Sequence, residues 1–151
     1  MWVFVDFDGV LRRLSSAPTA FDADCLNHFE ATVRKHASVR IAISSSWRVV
    51  EPLGTLRGYF SDDVGARILG VTPQAFDDKP HRRYREIREY LRLRNELDTP
   101  WVAVDDYADH FPESAPLVLV DGNCGFDARC AVRLSKLLQI SDLKMALGPV
   151  V

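Results

Sequence analysis

The chain lacks any apolar run approaching the ~20 residues of a membrane-spanning helix, so it is read as having no membrane segment. It lacks an excess of either charge: 19 Lys and Arg stand against 21 Asp and Glu, a formal net charge of −2. That balance gives no global pull toward nucleic acid or an anionic membrane surface. Cysteine is scarce, and Cys25, Cys124 and Cys130 are an odd number without the paired spacing of a metal site. Reduced thiols and a cytoplasmic location are the expectation. Internal repeats and low-complexity tracts are absent, and with an apolar strand pattern from residue 2 onward the expectation is that there is no signal peptide. The 151 residues, 47% hydrophobic and 26% charged, suffice for one domain, 1–151, with a sizeable core.

What the chain does have is acids at the ends of apolar strands. Residues 2 to 5 are all apolar, and they run into Asp6-Phe7-Asp8-Gly9. Two carboxylates two residues apart at the end of a buried strand repel each other and are poorly solvated. A fold keeps such a pair when a cation or a reaction uses it. Gly9 lets the backbone turn sharply and come close to a ligand. The competing reading is a polar turn, since Asp and Gly are turn residues.

The remaining chain repeats the pattern. Asp22 is a candidate N-cap for an amphipathic helix over 22–36, with Cys25, Leu26, Phe29 and Val33 at helical spacing. Val39, Ile41 and Ile43 form a second strand that ends in Ser44-Ser45-Ser46-Trp47-Arg48. One or two short helices occupy 47–65, a short strand covers 68–71, and 72–80 is loop. Residues 81–95 read as a helix with Tyr84, Ile87 and Leu91 on one face. A fourth strand, 101–104, ends in Asp105-Asp106, and a fifth, 117–120, ends in Asp121-Gly122. Asp127 caps a last helix through Ala131, Leu134 and Leu138, and 141–151 is left open. Strands alternating with helices predict an α/β fold: a parallel sheet of about five strands, helices on both faces, three layers in all. In such a sheet all strands point one way, so Asp6, Asp8, Ser44, Ser45, Asp105, Asp106 and Asp121 converge on one edge.

Several acidic groups in one cleft call for a divalent cation, and hard oxygen ligands suit Mg²⁺. Mg²⁺ with carboxylates suits phosphoryl transfer, with one carboxylate as nucleophile and a second moving the proton.

The residues also carry a family likeness. DFDGV after an apolar strand resembles the first motif of the haloacid dehalogenase-like (HAD) superfamily of phosphohydrolases. IAISSSW resembles its second, and VAVDDYADH its fourth, in the family's order and across nearly the whole chain. More narrowly, ISSSWR and WVAVDD resemble small bacterial HAD domains associated with RNA repair. The resemblance implies a Rossmann-like HAD fold and a phosphatase working through an aspartyl-phosphate on Asp6. It makes Asp8 the general acid/base with its carbonyl on the metal; a second Asp here resembles the phosphatase branch and argues against dehalogenation. Asp105 would bind Mg²⁺, and Asp106 would bind it directly or stand one layer out. Ser45, two before Trp47, is the choice for the phosphate-binding hydroxyl, with Ser44 left open. Lys79 is the choice for the basic residue, with Arg82 and Arg83 competing. Asp109 is a weaker metal candidate than a helix-start acid, and Asp121 and Asn123 are read as turn residues.

The intervals between motifs hold small elements and no second domain, so the site is expected to be uncapped. An open mouth suits a large phosphorylated partner, a nucleic-acid end or a phosphoprotein, as well as a small one. The segment 79–94 carries seven Lys and Arg against two Glu. It can steer a polyanion or form a solvated helix face laced with Glu–Arg pairs. Trp47 can stack on a base or join the core. Two other readings stand beside the phosphatase: a non-catalytic module that binds a phosphate or RNA end, and a phosphotransferase.

Overall fold

A computed structural model of the chain describes residues 1–148. Residues 149–151, which the sequence reading includes in the single domain and leaves without assigned structure, lie outside the described residues. Five strands form one sheet: β1 (Trp2–Val5), β2 (Arg40–Ile43), β3 (Ile68–Val71), β4 (Trp101–Asp105) and β5 (Leu117–Leu119). Their order is β3-β2-β1-β4-β5 and every pairing is parallel. The expected α/β architecture is therefore present. The helices are α1 (Ala23–Arg34), the short α2 (Leu53–Arg57) and α3 (Asp62–Gly65), α4 (Arg82–Leu93) and α5 (Ala128–Leu147). Among the described residues no second domain interrupts them and no cap covers the strand ends. None of the described helices is long and apolar enough to cross a membrane.

β1 is central because it is apolar on both faces, as a strand buried from both sides must be. Val3 and Val5 join Ile41, Ile43, Val102 and Val104 in a core covered by Phe29 and Val33 of α1 and Leu134 and Leu138 of α5. Trp2 and Phe4 face the other way, with Ala42 and Ala103, into a smaller core under Ile87, Tyr90 and Leu91 of α4. This alternation fixes which strand-end residues point toward α4. Two residues beyond Phe4, Ala42 and Ala103 come Asp6, Ser44 and Asp105.

Two helix starts differ in kind. Asp127 caps α5 as expected, its carboxylate accepting from the amides of Arg129 and Cys130. Asp22 stands at the N-cap of α1 but makes no side-chain cap bond. Its carboxylate accepts instead from the Arg13 amide and the Ser16 hydroxyl, tying down the loop after β1. α5 runs on to Leu147 through the stretch whose sequence left it open.

α4 is held by charge as well as by its apolar stripe. Glu86, on its buried side, lies 2.9 Å from Arg48, 3.1 Å from Arg83 and 3.3 Å from Arg82, and accepts from the Ala75 amide. Arg48 is itself buried and donates to the carbonyls of Ser45, Thr72 and Pro73. One carboxylate therefore fastens α4 to the loops after β2 and β3. Removing one partner of such a cluster leaves buried charge uncompensated. We expect Glu86→Ala to lower the unfolding free energy by about 3–5 kcal/mol in urea denaturation; a loss under about 1 kcal/mol would make the cluster ornamental.

Candidate active site

Parallel register brings the acids together. Val5 pairs with Val104, so Asp6 and Asp105, the next residues, are neighbours at the carboxyl edge of the sheet. Asp6, Asp105 and Asp106 each offer a carboxylate oxygen, and the three atoms lie within 4.8 Å of one another. Asp6 and Asp105 are buried. Asp6 accepts from the Phe7 amide at 2.8 Å and Asp105 from the Tyr107 amide at 2.9 Å. The second Asp105 oxygen is buried with no hydrogen-bond partner in the protein.

The electrostatics follow from this crowding. Burial is the main force raising Asp6 above the usual carboxylate range, and the Asp105 charge adds to it. Burial likewise raises Asp105, against the pull of the Tyr107 amide and Arg83, and it raises Asp106, with help from Asp8. Three crowded carboxylates at hard-ligand spacing, one with an orphaned oxygen, fit a hard divalent cation. Asp6, Asp105 and Asp106 are the residues that would hold Mg²⁺.

Asp8 stands apart from this cluster. One of its oxygens takes Arg12 Nε at 2.9 Å and Nη2 at 2.7 Å, and the other takes the Trp47 indole N–H at 3.1 Å. Its side chain is thus held at both oxygens, by Arg12 and by Trp47, while its charge still reaches Asp106. Arg12 is buried and donates to the Ser16 carbonyl at 2.8 Å. Trp47 packs edge-on against Phe7 and Tyr59, so it belongs to the core and to the site at once. Gly9 adopts φ +77°, and a Cβ on it would overlap the Asp106 carboxylate. Glycine is required there both by backbone conformation and by the close approach.

The two serines separate. Ser44 faces α4 with Asp6 and Asp105, and its buried hydroxyl has no partner in the protein. Ser45 faces the other way and caps a 3₁₀ turn, its hydroxyl oxygen accepting from the Trp47 amide. Ser44 thus presents an unpartnered hydroxyl on the face of the acids, whereas Ser45, the choice from the sequence, engages its own in the turn. Thr72, at the end of β3, is a second buried hydroxyl without a partner.

Of the basic candidates, Arg83 has an ion-pair contact with the acids and Lys79 has none among the described residues. Arg83 Nε lies 3.9 Å from Asp105, an ion-pair distance too long for a hydrogen bond, and that nitrogen is otherwise unpartnered. Lys79 is exposed and far from this role for a physical reason. Its amide donates to Asp77, while Arg85 holds Asp77 and the carbonyls of Lys79 and Pro80. The turn is thereby tied to the outer side of α4, and the chain then reverses through His81 at φ +56°. Arg83, two residues on, is the one that reaches the acids.

The remaining candidates stay outside. Asp109 is exposed in a 3₁₀ turn, and Asp121 accepts from the Asn123 amide in a turn. The arginines of 79–94 are largely paired within the chain: Arg85 with Asp77, Arg92 with Glu89, and Arg82 and Arg83 with Glu86. Arg12 and Glu86 hold Asp8 and Arg83 in place, contacts that the sequence reading did not anticipate, and Trp47, read as a core or base-stacking residue, also bonds Asp8.

The raised carboxylates predict a linked stability profile. In the folded protein Asp6, Asp105 and Asp106 hold protons to higher pH than in the unfolded chain, where the ordinary value is 3.8. The contribution of these three groups to metal-free stability is therefore fully present below that ordinary range and is lost as pH rises through the raised values. Mg²⁺ binds the ionised form, so its stabilisation grows as protons leave. Thermal unfolding should show a larger Mg²⁺-induced rise in Tm at about pH 8 than at about pH 5.5; an equal rise at both contradicts the assignment.

No curated protein and no solved structure matches the chain at a significant level. The model of one family does, that of the HAD domain in Swiss Army Knife RNA repair proteins, over residues 2–131. That span contains all five strands and every acid, hydroxyl and arginine of the site. The chain therefore belongs to this family of HAD domains, whose fold is that of hydrolases and phosphatases and generally works with Mg²⁺.

Proposed function

We propose that the domain is a Mg²⁺-dependent phosphatase that releases phosphate from a phosphorylated nucleic-acid end through an aspartyl-phosphate on Asp6. The observation that carries the reading is spatial. Three carboxylates, an unpartnered serine hydroxyl and a guanidinium meet on one face of the sheet, at the edge where α/β folds bind ligands. When bound, the cation supplies neutralisation of the phosphate and of the charge that develops on it.

The chain's own residues do the rest. An Asp6 carboxylate oxygen bonds to phosphorus while the bond from phosphorus to the leaving oxygen breaks. Asp8 gives that oxygen its proton. Asp8 then takes a proton from a water whose oxygen attacks the phosphorus, and the Asp6–phosphorus bond breaks to release phosphate and the free carboxylate. Ser44 Oγ–H and the Arg83 guanidinium donate to the non-bridging phosphate oxygens, where preorganised donors are most effective. Arg12 and Trp47 hold the Asp8 carboxyl in place, which is what proton transfer in a fixed geometry requires.

Two observations support the substrate class. The uncapped edge admits a large substrate, and the family's description ties such domains to RNA repair proteins. The test is phosphate release by the purified protein with Mg²⁺ from an aryl phosphate and from end-phosphorylated oligonucleotides. Asp6→Asn should abolish turnover, and Ser44→Ala should lower kcat/KM by on the order of 10²-fold, more than Ser45→Ala does. Turnover retained in Asp6→Asn, or no release from either substrate by the parent protein, overturns the reading.

A further inference from the structure

Beside the acids lies a cavity of about 220 Å³ that the proposed reaction leaves unused. Its walls include Ser46 and Arg48 from the turn after β2, Gln74 from the loop after β3, Arg82 and Arg83 from the first turn of α4, and His110 from the turn after β4. Arg83 is a shared wall: it lines the cavity and also lies 3.9 Å from Asp105. Whatever occupies the cavity therefore sits next to the phosphoryl group at Asp6.

Charge decides what that occupant is. No lining residue is acidic. Three guanidiniums face two carboxylates, since Arg48, Arg82 and Arg83 all pair with Glu86 and Arg83 also lies by Asp105. One positive charge is left in surplus around a partly desolvated space, where charge acts more strongly than in bulk water. His110 senses the same surroundings: burial, and after it the Arg83 charge, pushes it below its ordinary value. Ser46 and Gln74 add neutral hydrogen-bonding groups. A hard cation finds no carboxylate here and three guanidiniums against it, and Val49 is the one apolar residue of the lining. A phosphate oxygen cluster matches both the charge and the donors.

We propose that this cavity is a second phosphate subsite, which takes a phosphate neighbouring the scissile group on the same substrate. The inference rests on the phosphatase reading for the position of the scissile group. It deepens that reading by requiring the substrate to carry two phosphates. The second phosphate comes either from the internal phosphodiester of a strand or from the other phosphate of a nucleoside bisphosphate.

Binding without turnover tests it. Calorimetry on Asp6→Asn protein with Mg²⁺ compares a 5′-phosphorylated dinucleotide, a nucleoside 3′,5′-bisphosphate and a nucleoside monophosphate. The two-phosphate probes should bind about tenfold or more tightly than the monophosphate. Arg82→Ala should remove most of that advantage, and Arg82→Glu all of it. An advantage confined to the dinucleotide assigns the subsite to a strand; one shared by the bisphosphate assigns it to the phosphate itself. Equal affinity for one- and two-phosphate probes, or an advantage that survives Arg82→Glu, overturns the proposal. Because no turnover is read, failure here is separable from failure of the phosphatase reading, which shows as absent phosphate release by the parent protein.

Discussion

Two hydrogen-bonded parallel strands, β1 and β4, end in register, and each delivers a buried carboxylate to the same place. Asp6 and Asp105 repel each other and have lost most of their water, so their adjacency is a standing cost that the fold carries. Asp106 adds a third negative group, held against the bare backbone of Gly9. An arrangement of this kind is stable at neutral pH when positive charge is supplied. The protein supplies part of it through Arg83, and a divalent cation among the three acids would supply what one guanidinium cannot.

The rest of the site is arranged to keep those charges in position. Glu86 binds three arginines at once, fixing Arg83 toward the acids and fastening α4 to the loops after β2 and β3. On the other side, Arg12 and Trp47 hold Asp8 by both of its oxygens. Trp47 in turn packs into an aromatic cluster with Phe7, Phe21 and Tyr59, so the Asp8 carboxyl is anchored to the hydrophobic core. The three clustered acids and Asp8 are thus positioned by separate structures, the first centred on the Glu86 ion cluster and the second on the aromatic core.

Much of this was legible in the sequence because it depends on strand patterning and order. The five strands, the parallel sheet and the convergence of Asp6, Asp105 and Asp106 all follow from apolar runs ending in acids. The choice between Ser44 and Ser45 was also within reach. Phe4, Ala42 and Ala103 share a face, and Asp6, Ser44 and Asp105 each lie two residues further on, so period-two alternation already favours Ser44. Lys79 misled because proximity in sequence to α4 says nothing about a turn held outward by Arg85 and Asp77. Arg12 and Glu86 were not legible as site residues, since their importance comes from partners that only the folded chain assembles. The basic run over 79–94 is largely paired within the chain, and its unbalanced remainder is concentrated at Arg82 and Arg83, beside the acids.

A structure of the protein with Mg²⁺ and beryllofluoride tests the central claim most directly. The account predicts the cation among Asp6, Asp105 and Asp106, beryllium bonded to an Asp6 carboxylate oxygen, and fluorides contacted by the Ser44 hydroxyl and Arg83. A cation bound elsewhere, or a fluoride held by Ser45 and Lys79 instead, would contradict it.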